Sequence, residues 1–135
     1  MKQVWSLLLL SFTGIGLVFN LHAQELPKTQ IRNLNTGKKV AFNKAIEKGK
    51  PTLISFWATW CAHGKRQVKT IFRKMPEWKK QADFDYVAIA VDQHDEDIAR
   101  TYARAQGWNF PCYIDPNSDL KPSLGFKAMP FIVIH

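Results

Sequence analysis

A nearly unbroken β-favouring run, Thr52, Leu53, Ile54, Ser55, Phe56 and Trp57, is followed four positions later by Cys61 and then by a helical repeat. Polar and apolar residues do not alternate cleanly in the run, which predicts a strand buried on both faces. Val68, Ile71, Phe72 and Met75 recur at i, i+3, i+4 and i+7 and so share one face of a helix. Pro76 cannot donate within that helix, so it is expected to kink it or to start a second segment carrying Trp78. A strand that feeds directly into a helix places Cys61 at the junction, where unpaired backbone N–H groups and the positive end of the dipole favour a thiolate.

The rest of the chain repeats this alternation. Residues 25–40 read as extended structure with a turn at Asn35, Thr36 and Gly37, and residues 42–48 as a short helix stopped by Gly49 and Pro51. Residues 84–91 form a second apolar strand. Asp95, Glu96 and Asp97 then crowd a helix start, Arg100 and Arg104 lie nearer its end, and Gly107 follows. Ile98 and Tyr102 are expected to face inward from this helix. A short extended piece in residues 108–115 closes at the Asp115, Pro116, Asn117 turn, residues 119–124 suggest a short helix, and Pro130 opens a last run at residues 131–134. Alternating β and α units with buried strands predict a mostly parallel sheet covered by helices on both faces. The last run has neither a hairpin partner nor a closing helix after it, which predicts a bare, apolar outer edge.

At 135 residues the chain suits one domain. Residues 1–23 read as a separate leader: Lys2, a long apolar stretch, then Ala23 before Gln24, the pattern of a secretory signal peptide cleaved after Ala23. The alternative is an N-terminal membrane anchor formed by residues 4–21. Either way residues 25–135 are expected to be an exported domain, and the absence of a lipid-attachment cysteine suits the periplasm. The net charge of +8 is concentrated in seven lysines and arginines between positions 65 and 80. They read as the solvated face of the helix, with a positive field near Cys61 as the alternative. An exported chain with no nucleic-acid-binding motif is not expected to bind nucleic acid. Cys61 and Cys112 are the only cysteines, and after export they could form a structural bridge, a redox pair or two independent thiols.

The segment from Ser55 to Cys61 (Ser-Phe-Trp-Ala-Thr-Trp-Cys) resembles the active-site strand of thioredoxin-like proteins, in particular exported thiol–disulfide oxidoreductases of the TlpA/ResA type. Tyr86 to Asp92 resembles the second core strand, and Phe110 to Pro116 the short strand of this branch's insertion. Met129 and Pro130 resemble the loop that holds the family's cis-proline. The resemblance implies a three-layer α/β/α sandwich around a central mixed sheet, with a C-terminal strand and helix that are missing here. It implies that Cys61 is the nucleophile, with His63 tuning it from a position like that of a histidine in the oxidant DsbA. It further implies Trp60 as a cover for the sulfur, Met129 and Pro130 as a substrate groove, thiols and disulfides of proteins or small molecules as partners, and no cofactor. Trp57 is expected in the core.

Three positions depart from that pattern. Gly64 stands where the second, resolving cysteine belongs, Gln67 where these reductases often carry a glutamate, and Ser55 where classical thioredoxins bury an acid. Three readings follow: single-cysteine exchange through Cys61, a pair in which Cys112 is the resolving thiol, or a degenerate fold that binds partners in the Met129–Pro130 groove without turnover. A buried, small-hydrophobe role is the alternative for Cys112. A peroxidase of this fold would place threonine three residues before the cysteine, and Ala58 stands there. Copper bound by Cys61 with His63 or His94 is the remaining chemistry, resting on a Cys-x-His pattern that recurs by chance.

Overall fold

The structure is a computed structural model that describes residues 18–20, 25–46, 49–93 and 95–135. Its strands are β1 (Val18–Asn20), β2 (Gln30–Asn33), β3 (Lys39–Ala41), β4 (Thr52–Trp57), β5 (Asp85–Ala90), β6 (Cys112–Ile114) and β7 (Phe131–Ile134). The helices among the described residues are α1 (Phe42–Ala45), α2 (Ala62–Trp78), α3 (Glu96–Ala105) and α4 (Leu120–Leu124). One sheet joins the strands in the order β1-β7-β4-β5-β6-β2-β3. The centre, β4-β5-β6, is parallel, β7 runs antiparallel to β4, and β2 runs antiparallel to β6. The sheet is therefore mixed, as the thioredoxin-like resemblance implied.

Burial explains why the strands sit where they do. Ile54, Phe56, Val87, Ile89, Phe131 and Val133 pack on one face with Phe42 of α1 and Leu120 of α4. Trp57, Tyr86, Ala88, Ala90, Cys112 and Ile114 pack on the other with Val68, Ile71 and Met75 of α2 and Ala99 and Ala103 of α3. Each large apolar side chain fully withdrawn from water contributes about 1.5–3 kcal/mol, and this opposes the conformational entropy of the ordered chain. Both faces of β4 and β5 are used, which is why their sequences are apolar without alternation.

Four expectations need correction. With residues 18–20 present the outer edge of β7 is not bare: β1 runs parallel along it, with Val18 opposite Ile132 and Asn20 opposite Ile134. Of the two outcomes expected at Pro76, the second segment does not form: helix α2 continues through it to Trp78, because the proline falls in the last turn and the Lys79 N–H still reaches the Met75 carbonyl at 2.9 Å. Ile98 is exposed, and α3 instead turns Ala99 and Ala103 inward with Tyr102 half-buried. The helix expected at residues 42–48 is the shorter α1, Phe42–Ala45.

Asp115, fully buried after β6, holds the start of α4 by accepting from the Asp119 N–H at 3.2 Å and the Leu120 N–H at 2.9 Å. Burial raises its carboxyl above the ordinary value of 3.8, against the lowering effect of those two N–H groups. A raised carboxyl favours the protonated native state, so its contribution is full below about pH 3.8 and is lost as pH rises through the elevated native value. Relative to Asp115→Asn, which stays neutral, the native protein is expected to lose stability as pH rises from about 3 to 7. Urea midpoints of the two proteins across that range test this, and a relative gain for the native protein with rising pH would contradict it.

Candidate active site

The site is built at the end of β4. The Trp57 carbonyl accepts from the Val91 N–H at 2.9 Å, which prolongs the β4–β5 pairing beyond the strands. A turn then brings the Cys61 N–H back to the Ala58 carbonyl at 3.0 Å, and α2 begins at Ala62. Cys61 is the N-cap, with extended backbone at φ −104 and ψ 101. Its sulfur accepts from the Gly64 N–H at 3.4 Å, taking the place of the oxygen usual at a helix start. The Cys61 carbonyl accepts the first backbone bond of the helix, from the Lys65 N–H at 3.1 Å.

The sequence candidates fall into two groups. Cys61, half-buried, packs against the same apolar cluster as Met129, and the Met129–Pro130 bond is cis. Trp60 is 71% exposed, and His63 lies exposed in the first turn of α2, so both stand at the surface beside the sulfur's loop. The Lys65 ammonium lies 5.3 Å from the centre of the Tyr102 ring, a cation–π contact that turns it toward α3. Trp57 is fully buried, as expected.

Cys112 belongs elsewhere. It pairs in register with Ala88 in the middle of β5 and packs on the sheet face opposite the cluster that receives Cys61. Both cysteines are free, and burial pushes the Cys112 thiol up to about 12. Its sulfur faces the Phe110 carbonyl at 3.4 Å. The structure does not bring the two sulfurs together.

Gly64 is buried against the end of β4. A Cβ built on it would meet Cys61 Sγ at 3.4 Å, Trp57 Cα at 3.4 Å and Trp57 Cβ at 3.5 Å. The position therefore adjoins the sulfur but carries no side chain to react with it. Gln67, one turn on, has a buried Oε1 with no hydrogen-bond partner among the described residues. No group of three or more histidine, cysteine or acidic residues able to hold a metal occurs among the described residues, and His94 lies outside them.

One contact escaped the sequence reading. Asp92, just past β5 and 2% exposed, accepts with both carboxylate oxygens from Thr59, two residues before the cysteine. In the sequence it stood only as the last residue of the segment that resembles the second core strand. An acid directly following a buried apolar strand was the available signal, because a carboxylate held there needs donors.

Comparison with known proteins agrees with this architecture. Residues 22–132 match the AhpC/TSA family. The thiol-disulfide oxidoreductase ResA of Bacillus anthracis is 27% identical over 108 residues, covering 79% of this chain and 59% of that protein. The chain thus spans under two thirds of that relative's length. The solution structure of an uncharacterised thioredoxin-like protein from Porphyromonas gingivalis superposes with a TM-score of 0.70 at 29% identity, covering 82% of this chain and 72% of that one. A secreted disulfide oxidoreductase of Mycobacterium tuberculosis, homologous to E. coli DsbE, shares the fold at a TM-score of 0.64 and 18% identity, covering 80% and 75%.

Proposed function

The chain belongs to the AhpC/TSA family, and from that membership we propose that it is a thiol–disulfide oxidoreductase of the cell envelope acting through Cys61 alone. The observation that carries this reading is the placement of the sulfur. Cys61 Sγ sits at the start of α2 facing the Gly64 N–H, while the neighbouring residue able to resolve a mixed disulfide is replaced by glycine and Cys112 is buried on the other face. In the first step the Cys61 thiolate attacks a substrate disulfide. A Cys61–substrate disulfide forms, the substrate S–S bond breaks, and its other half leaves as a thiolate. In the second step an external thiolate attacks the substrate's sulfur in that mixed disulfide and releases Cys61 as thiolate. The two electrons come from the external thiol, so no cofactor is needed.

His63 is assigned the tuning of the sulfur, Trp60 its cover, and Met129 with Pro130 the groove in which an extended substrate segment lies. Protein or small-molecule disulfides are the proposed substrates. Residues 1–23 are assigned as the export signal of a 25–135 domain. Cleavage after Ala23 would remove β1 and leave β7 as the sheet edge. No helix among the described residues is long and apolar enough to cross a membrane, and the anchor alternative at residues 4–21 falls largely outside them.

Iodoacetamide labelling of the native protein at about pH 6, read by mass spectrometry, tests the assignment. One adduct is expected, on Cys61, forming at least about ten-fold faster than on free cysteine, as for activated thiols. Cys112 is expected to label only after unfolding, because burial holds its thiol up to about 12. Cys61→Ser should abolish native labelling and the trapping of a mixed disulfide with a model disulfide. A Cys61 that labels no faster than the free amino acid would leave only a binding module.

A further inference from the structure

We propose that Asp92 is a positioning residue for Cys61, acting through Thr59. Asp92 follows β5 and is buried, yet among the described residues it has no ion-pair partner. Two cations that line the same pocket as Asp92 are directed elsewhere: Arg32 and Arg100 share Glu96 at 2.6 and 3.0 Å, and Arg100 also reaches Asp97 at 2.7 Å. Both Asp92 oxygens are instead directed at one residue. Oδ1 and Oδ2 accept from the Thr59 N–H at 3.2 and 3.0 Å, and Oδ2 also accepts from the Thr59 hydroxyl.

The bonds form a continuous path from the sheet to the sulfur. The Val91 N–H holds the Trp57 carbonyl, Asp92 holds Thr59, the Cys61 N–H closes the turn onto Ala58, and the Gly64 N–H faces Cys61 Sγ. Thr59 and Trp60 are the two residues inside that turn. Their backbone sets where Cys61 enters α2 and where the exposed Trp60 indole stands. With the carboxylate removed, the turn keeps its ends but loses its fixed middle, and the sulfur loses its set direction toward the first N–H groups of the helix. A small displacement at such a centre is enough to slow its chemistry.

This inference rests on the reading of Cys61 as the reactive thiol, and the test separates the two. Native iodoacetamide labelling of Cys61 is measured from about pH 5 to 9 in the unaltered protein and in Asp92→Ala, Thr59→Val and Thr59→Ser, with thermal midpoints for each. Asp92→Ala is expected to label about ten-fold more slowly than the unaltered protein across that range, as a misplaced reactive group should. Thr59→Val exchanges the hydroxyl for a methyl group at nearly constant volume and should show part of that loss, while Thr59→Ser, which keeps the hydroxyl, should retain most of the unaltered rate. Should Asp92→Ala fail to fold, the Val–Ser comparison still decides. Variants that label at the unaltered rate despite lowered thermal midpoints would make the contact purely structural. Faster labelling in Asp92→Ala would mean the carboxylate acts through its charge; either result overturns the proposal. If the unaltered protein itself labels no faster than free cysteine, the function assigned to Cys61 fails instead.

Discussion

Gly64→Cys is expected to form a disulfide with Cys61 on exposure to air, turning a single-thiol centre into a dithiol one. The geometry for this is already present. A Cβ at position 64 stands 3.4 Å from Cys61 Sγ, an ordinary contact, and its two other neighbours, Trp57 Cα and Cβ, are at 3.4 and 3.5 Å. The added atom neither forces the backbone apart nor leaves the new sulfur out of reach. The variant has three cysteines. Once two are bridged, denaturing thiol titration should find one, Cys112, against two in the unaltered chain. Native Cys61 labelling should fall to background and return with dithiothreitol. The variant should also resolve its own mixed disulfides, so trapped complexes with a model disulfide should become short-lived. Three titratable thiols after oxidation would show that position 64 is not oriented toward the sulfur, and would weaken the argument that its glycine explains the altered chemistry.

Part of this site was open to sequence reading, for physical reasons. The run at residues 52–57 and the 3.6-residue repeat of Val68, Ile71 and Met75 mark buried surfaces, and burial constrains side-chain type strongly enough to show in a single chain. Cys61 was legible because it stands where these two patterns meet. The errors came where size and contact decide. Ile98 and Tyr102 were expected to share the inward face of α3, yet Ala99 and Ala103, four residues apart, are the residues buried in the core, with Tyr102 packed at its margin and Ile98 exposed. The strand at Val18–Asn20 lies inside an apolar leader pattern, so nothing in its composition marks it as a sheet edge. The Asp92–Thr59 contact joins residues 33 positions apart, and a long-range pairing of that kind leaves no local periodicity.

Trp57 ties core and site together, and its replacement should have the largest effect on stability. The side chain is fully buried, with ring centres 5.0 Å from Trp108 and 5.5 Å from Tyr102. Trp57→Ala removes all of that contact and leaves a cavity the helices cannot fill, which costs about 3–5 kcal/mol. Against a total of about 5–15 kcal/mol for a domain, the thermal midpoint should fall by roughly 10–40 °C. Trp57→Phe should be much milder. The indole Nε1 is buried without a hydrogen-bond partner among the described residues, so the ring change gives up no bond there and deletes a donor whose burial is unfavourable. Its remaining cost is the smaller cavity, about 1–2 kcal/mol by the volume dependence of such losses. Cys61 labelling should follow the same order. Gly64 packs against the Cα and Cβ of Trp57, atoms that phenylalanine retains, so Trp57→Phe should keep the native rate even as its midpoint drops. A phenylalanine variant as unstable as the alanine one would mean the indole N–H makes a bond that this arrangement does not contain.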